Sequence, residues 1–379
     1  EGLVNRVTLR TWNSDNPPSG MPAGTSPFVM SGGSQIQVYG SYKPVNRPLW
    51  ISGQNNVFSY SSNGKATIEY ATNNANWAGP VTFTNTTGLS LLKLRTEFYS
   101  DLGKHMLVVS GPITGPGSLD ISNSRASERC ALLARNNTYT GYTRLANDNI
   151  SGTLLGYPGS VPANNYAAVT NCHGYIDLAV GDEYDRWTLD DFYKFRTQAT
   201  FQDNALPRFS SEYTTNGIGP VKVDLATTNG VGIYLAARDS VKFVGNANAE
   251  PWSFNWCWGR ATLTGPEPIL LGQSLLNFRS AAPTDSEVRF ENADVTIAYS
   301  DSCTGDLILG SAGTFATGHL VVSNSLVRCE DVMRSNHGDA WKNVRGGTVT
   351  VGYRNHGTLE VLPGTVITNR LVVCSFGDD

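Results

Sequence analysis

Along most of this chain apolar and polar residues alternate in short runs, as in Ser118-Leu119-Asp120-Ile121. A period of two sends successive side chains to opposite faces, one toward a core and one toward water, which is how a β-strand reads. Between Gly103 and Gly156 such runs fall at 106–110, 117–121, 131–134, 142–145 and 152–155, separated by Gly, Pro, Asn and Asp. No helix of useful length fits between them, so they cannot be joined as βαβ units. A chain that keeps making strand, corner, strand most simply winds into a coil of stacked turns. The rhythm returns after Gly219, from 221–225 through 241–244, 288–290, 295–298, 320–322 and 348–351 to 371–373. The fall of the glycines there predicts a three-sided coil of about 20 to 25 residues per turn.

Two stretches depart from this rhythm. Residues 1–102 carry strand runs at 4–12, 35–39, 49–52, 57–60, 66–70 and 81–84, yet Asn63-Gly64 among them is a hairpin signal. The end of a coil exposes apolar core and unpaired backbone and has to be covered, so 1–102 are expected to form an irregular β-rich cap or first coils. Residues 157–218 hold a strand run at 173–180 and the one convincing helix. Thr188 can cap that helix with Asp191 three positions on, and Leu189, Phe192 and Tyr193 share one of its faces. A lateral insertion is expected there, between coils at 103–156 and 219–379. The expected fold is all-β: a right-handed parallel β-helix, or β-solenoid, with an N-terminal cap region and one lateral insertion containing a short helix.

The residues Gly115-Pro116-Gly117-Ser118-Leu119-Asp120-Ile121 are followed by Asn136-Asn137-Thr138-Tyr139-Thr140-Gly141 and then by Gly152-Thr153-Leu154. This pattern resembles the autotransporter-associated β-strand repeat. Where that repeat has an apolar or Gly-rich middle, this chain has the charged, cysteine-bearing stretch 123–130. The resemblance implies a passenger-type parallel β-helix at a bacterial surface, and so a fold and a location rather than an activity.

Composition agrees with an extracellular all-β chain: 379 residues with 39 glycines and only 16% charged side chains. A net charge of −4 without a basic stripe argues against nucleic acid as a partner. No apolar run reaches the roughly 18 residues that a membrane-spanning helix needs. The chain opens on Glu1 with no apolar leader, which reads as a mature chain or a fragment that has lost a signal peptide. Its six cysteines include no Cys-x-x-Cys pair, against a structural zinc. An even number in an exported chain favours disulfides between neighbouring turns, Cys303 with Cys329 first and Cys130 with Cys172 second. The alternative is that all six are buried thiols.

Three groups of residues invite a chemical reading. Asp182, Glu183 and Asp185, with Asp190 and Asp191 beyond them, could gather oxygens around Ca²⁺ or act as paired carboxylates; as helix-start acids they would only complement the dipole. Asp190-Asp191 and the His-Gly dipeptides at 173, 337 and 356 invite comparison with β-helical polygalacturonases, but an Arg-x-Lys is missing and the Asp-Asp falls on a helix. Trp252, Phe254, Trp256 and Trp258 alternate with polar residues and would share one face of a strand, stacking on sugar rings if that face is wet and filling a core if it is not. No catalytic residue is assigned and no cofactor is expected beyond the calcium option. The leading expectation is a secreted or cell-surface structural or adhesive protein whose open ends pair with another chain, with self, extracellular matrix or glycan contacts. The alternatives are a polysaccharide lyase or hydrolase and a glycan-binding module.

Overall fold

The computed structural model describes residues 8–11, 25–38, 45–54, 56–62, 74–86, 90–98, 105–123, 128–146, 152–163, 165–181, 186–202, 207–210, 221–224, 233–238, 240–246, 252–276, 286–297, 299–300, 303–310, 317–329, 347–352, 356–368 and 371–374. Two compact units divide the chain. Glu1–Ala179, Asp185–Trp187 and Phe195–Pro207 make the first, and Val180–Tyr184, Thr188–Lys194 and Arg208–Asp379 make the second. Strands dominate both, and no closed barrel forms among the described residues. One α-helix, Leu189–Gln198, is present there, and no helix is long and apolar enough to cross a membrane.

The first unit is built on three parallel sheets. Sheet A runs, in spatial order, Thr8–Thr11, Gln35–Val38, Asn56–Ser62, Ser90–Phe98, Gly117–Asn123, Thr143–Ala146, Val169–His173 and Thr200–Phe201. Sheet B has four strands, Phe28–Ser31, Leu49–Ser52, Val81–Phe83 and Ile113–Thr114. Sheet C stacks Asn74–Trp77, His105–Val109, Glu128–Leu132, Gly152–Leu155 and Tyr175–Ala179. From Asn56 the chain visits A, then C, then B, and returns to A at Ser90. Each return sets like on like: Leu49, Val81 and Ile113 stand in one register column and are at most 1% exposed. Alternation along each strand thus becomes a continuous apolar column across strands, which is where burial stabilises the unit.

One corner of this unit repeats in sequence. Pro48, Pro80 and Pro112 lie 32 residues apart, and their carbonyls accept from the backbone N–H of Phe28, Leu49 and Val81 at 2.8 Å each. Proline suits the position because its own missing N–H is not needed by a ladder. At the next turn Asn137 takes over with its side chain. Its Oδ1 accepts from Ile113 N at 2.7 Å and its Nδ2 donates to Ser160 O at 2.6 Å. The neighbouring glycine column is there for space: a Cβ on Gly117 would lie 2.1 to 2.7 Å from the buried Phe83 ring.

These ladders take in strands from two stretches. Within 1–102, Asn56–Ser62 pairs in parallel with Ser90–Phe98 and that strand with Gly117–Asn123. Asn63-Gly64 lies outside the described residues. Within the expected insertion, Val169–His173 and Tyr175–Ala179 extend sheets A and C. The helix α1 (Leu189–Gln198) then follows with the expected capping box: Asp191 N donates to Thr188 Oγ1 at 3.2 Å, and Thr188 N donates back to Asp191 Oδ2 at 3.1 Å. Its buried stripe is Leu189, Phe192 and Phe195, while Tyr193 is half-buried. Phe195 meets Tyr166, Trp187 and Phe201 of the first unit at centroid distances of 5.2 to 5.7 Å.

The second unit has a parallel sheet D, ordered Val221–Asp224, Val241–Val244, Arg260–Thr264, Glu287–Glu291, Gly318–Ser323 and Gly357–Val361. Its companion, sheet E, starts with Ile233–Ala236, Trp252–Trp258 and Ile269–Leu276 and then forks. Residues 269–271 continue into Asp294–Ile297, Leu326–Cys329 and Val366–Thr368, whereas 274–276 continue into Leu307–Leu309, Thr348–Val351 and Leu371–Cys374. A single long strand thereby becomes two faces, with a short antiparallel pair, Tyr299–Ser300 and Cys303–Thr304, between them. One column of sheet D reads Val241, Ala261, Val288, Leu320 and Leu359, with 20 residues between the first two and 39 between the last two. The turns are therefore far less even than the glycine spacing suggests. A second repeating corner holds Asn292 and Asn324 at positive φ, with Asn324 Nδ2 donating to Asn292 Oδ1 at 2.8 Å. Gly364, at φ +80°, takes the same corner one turn on, against Asn324.

Candidate functional site

The aromatic stripe faces inward. Phe254 and Trp256 are fully buried, stacked on each other at 5.5 Å and met edge-on by Phe243. Trp256 Nε1 donates to Gly259 O at 3.1 Å, so the indole has its partner inside. The register between Trp252–Trp258 and Ile233–Ala236 slips at Leu235/Ala236, opposite Cys257, and this bulge buries Cys257 as well, with its thiol directed at Leu235 O at 3.0 Å. Trp258 is half-buried, and the side chain of Trp252 lies outside the described set. At Phe254 and Trp256 the expected sugar-binding face is core instead, because their rings fill the interior beside Phe243 and have no face left for a ligand.

The disulfide expectation is corrected too. Cys130, Cys172 and Cys329 are unbridged thiols. Cys329 stacks on Ile297 in sheet E, and Cys303 pairs with Ser300 across the short antiparallel turn, so 26 residues of separation do not bring Cys303 and Cys329 onto adjacent strands. Cys130 lies in sheet C and Cys172 in sheet A. Burial pushes the Cys130 thiol up, and burial, reinforced by the Asp306 carboxylate, pushes Cys329 up to about 12. Neither is a nucleophile at neutral pH.

Asp182, Glu183 and Asp185 lie outside the described residues, and so does any calcium reading built on them. Asp191 is committed to capping α1 through Thr188. Among the described residues no group of three His, Cys, Asp or Glu side chains could hold a metal ion. Charged side chains instead pair on outward faces. Asp120, 4% exposed, pairs with Arg144 at 3.0 Å and stands in register with Lys93 on its other side. Arg289 is bonded to Glu287 at 2.7 Å, and that bond, with Glu291 and Glu360 nearby, strengthens its hold on its proton. Arg328 pairs with Asp294 on the next strand. The first and last of these pairs brace neighbouring strands, and the middle one runs along a single strand.

What the sequence did not announce is a strand edge that, among the described residues, carries exposed apolar side chains. In sheet D the inward column Phe243, Leu263, Phe290 and Val322 is fully buried, yet Val361, next in register, is 53% exposed. Leu359 and Ile367, in columns where Leu320 and Val327 are fully buried, are only half-buried. Val366 beside them is 54% exposed. Among the described residues, Gly357–Val361 and Val366–Thr368 each have a partner strand on one side. Apolar side chains of core type, on strands paired along one edge there, make a surface that can accept a further strand. Comparison with protein-family models, with curated proteins and with solved structures finds no match.

Proposed function

We propose that each unit is a stretch of right-handed parallel β-helix and that the protein is an extracellular structural or adhesive element at a bacterial surface, assembled end to end. The parallel return of the chain to the same sheets supports the helix, and the right-handed sense follows from the strong preference of parallel crossovers. The observation that carries the assembly is the inward column of sheet D, buried at every strand until Val361. The occupant of that edge is a second copy of this chain. The inward columns of sheet D run in parallel with apolar residue over apolar residue, and in the first unit Phe28–Ser31, which among the described residues pairs only with Leu49–Ser52, carries Phe28 and Met30 in columns of the same kind. Such a contact is head-to-tail, and a head-to-tail contact propagates into a filament unless its rotation closes a ring.

Light scattering and negative-stain electron microscopy of the purified chain test this. The expected result is concentration-dependent growth into fibres, abolished by the double substitution Val361→Asp and Val366→Asp. A chain that stays monomeric at every concentration, or whose fibres survive the double substitution, would overturn the assembly.

A further inference from the structure

We propose that the outward face of sheet B binds an uncharged, linear polysaccharide, with Trp50 as the stacking platform. None of its four strands, Phe28–Ser31, Leu49–Ser52, Val81–Phe83 and Ile113–Thr114, contains a charged residue. The outward columns of sheets A and D are different in kind, carrying Lys93, Asp120 and Arg144 in one and Lys242, Arg289 and Glu360 in the other. On sheet B, Val29, Trp50, Thr82 and Thr114 stand side by side in one outward column. Val29 is 61% and Trp50 44% exposed, the two largest outward apolar surfaces of this sheet and immediate neighbours.

The hydroxyls beside the indole are directed. Thr114 Oγ1 donates to Thr82 Oγ1 at 3.5 Å, which leaves the Thr82 proton for an outside acceptor. In the next outward column Ser52 Oγ donates to Met30 O and Thr84 Oγ1 to Ile51 O, so their lone pairs remain as acceptors. An indole face flanked by a ladder of neutral donors and acceptors matches a sugar chain, which offers an apolar C–H face and hydroxyls along its edges. Regular strand spacing, about 4.8 Å, repeats that offer along the direction of stacking. An anionic glycan finds no cation on these strands, and a protein partner of ordinary affinity would need a larger apolar patch than two residues.

The test uses the full chain with two probes, regenerated cellulose and colloidal chitin, and heparin beads as the charged control. The wild type is expected to be retained on cellulose or chitin and released from heparin by salt or not held at all. Trp50→Ala is expected to weaken retention about tenfold or more, since a lost stacking contact of about 1.4 kcal/mol corresponds to that factor. Thr82→Val, of equal volume, is expected to weaken it less while leaving the melting transition in place, which separates binding from folding. The Val361→Asp and Val366→Asp chain should bind as the wild type does, because this face does not depend on end-to-end assembly. Absence of retention on both uncharged glycans, retention on heparin alone, or unchanged retention of Trp50→Ala would each overturn the proposal.

Discussion

At Gly117 one methyl group is the difference between a packed corner and a clash, because an added Cβ would stand 2.1 Å from the Phe83 ring. Phe83 is 1% exposed and in edge contact with Tyr139, so it has nowhere to retreat. Gly117→Ala is therefore expected to destabilise the first unit by about 1–3 kcal/mol, read as a lower urea midpoint. Asn137 is a second single-residue hinge of stability. Asn137→Ala would leave Ile113 N–H and Ser160 C=O without the partner they now have, at roughly 1–3 kcal/mol for each buried group. The buried thiols set a pH dependence. Above the ordinary thiol value of 9.0 the unfolded chain loses protons that folded Cys130 and Cys329 retain, so the unfolded state gains and stability falls as pH rises toward the folded value of Cys329, about 12. The slope approaches about 1.4 kcal/mol per pH unit for each thiol, and urea midpoints at roughly pH 8 and 10 would reveal it; equal midpoints would refute it.

Elements were the most legible level of this chain. The run at 49–52 is the strand Leu49–Ser52, and 241–244 is Val241–Val244, because a period of two is a direct consequence of strand geometry. The helix cap at Thr188 was equally open to reading, since a hydroxyl and an acid three apart satisfy each other's backbone. Thr188→Ala is expected to remove about 0.5–2 kcal/mol, measurable by thermal melting. The aromatic stripe resisted reading for a physical reason: alternation says which side chains share a face but not which face is wet, and the bulge opposite Cys257 breaks the alternation itself. Partnerships between strands were also hidden. Nothing local in 269–276 announces that its two halves lead into different ladders. The 32-residue spacing of Pro48, Pro80 and Pro112 was visible in principle and marks the corner that ties the strands of 1–102 to Ile113–Thr114. The exposed edge at Val361 was not, because in sequence Leu359 and Val361 look like any other core pair.

Within each unit the described parallel strands pair mainly with neighbours in a ladder, and if the units are coils as proposed, stability is a sum of such neighbour contacts. The parallel pairings each close a long loop, as from Val241 to Ala261, 20 residues apart, and such non-local contacts favour slow folding. Apolar side chains left exposed on a strand edge, as at Val361 and Val366 among the described residues, are costly in water, which is why the proposed assembly and its Val361→Asp and Val366→Asp test belong at this scale.

The uneven lengths from Val241 to Ala261 and from Leu320 to Leu359 mean that vertical spacing is decoupled from contour length. Surplus sequence can bulge sideways while the ladder keeps its pitch. A graft of about ten Gly/Ser residues between Pro266 and Glu267, in the exposed turn after Arg260–Thr264, should then lower stability by under about 1 kcal/mol, because lengthening a loop is entropically cheap. Differential scanning calorimetry would show an almost unmoved transition, and the site would serve as a neutral socket for displaying foreign peptides.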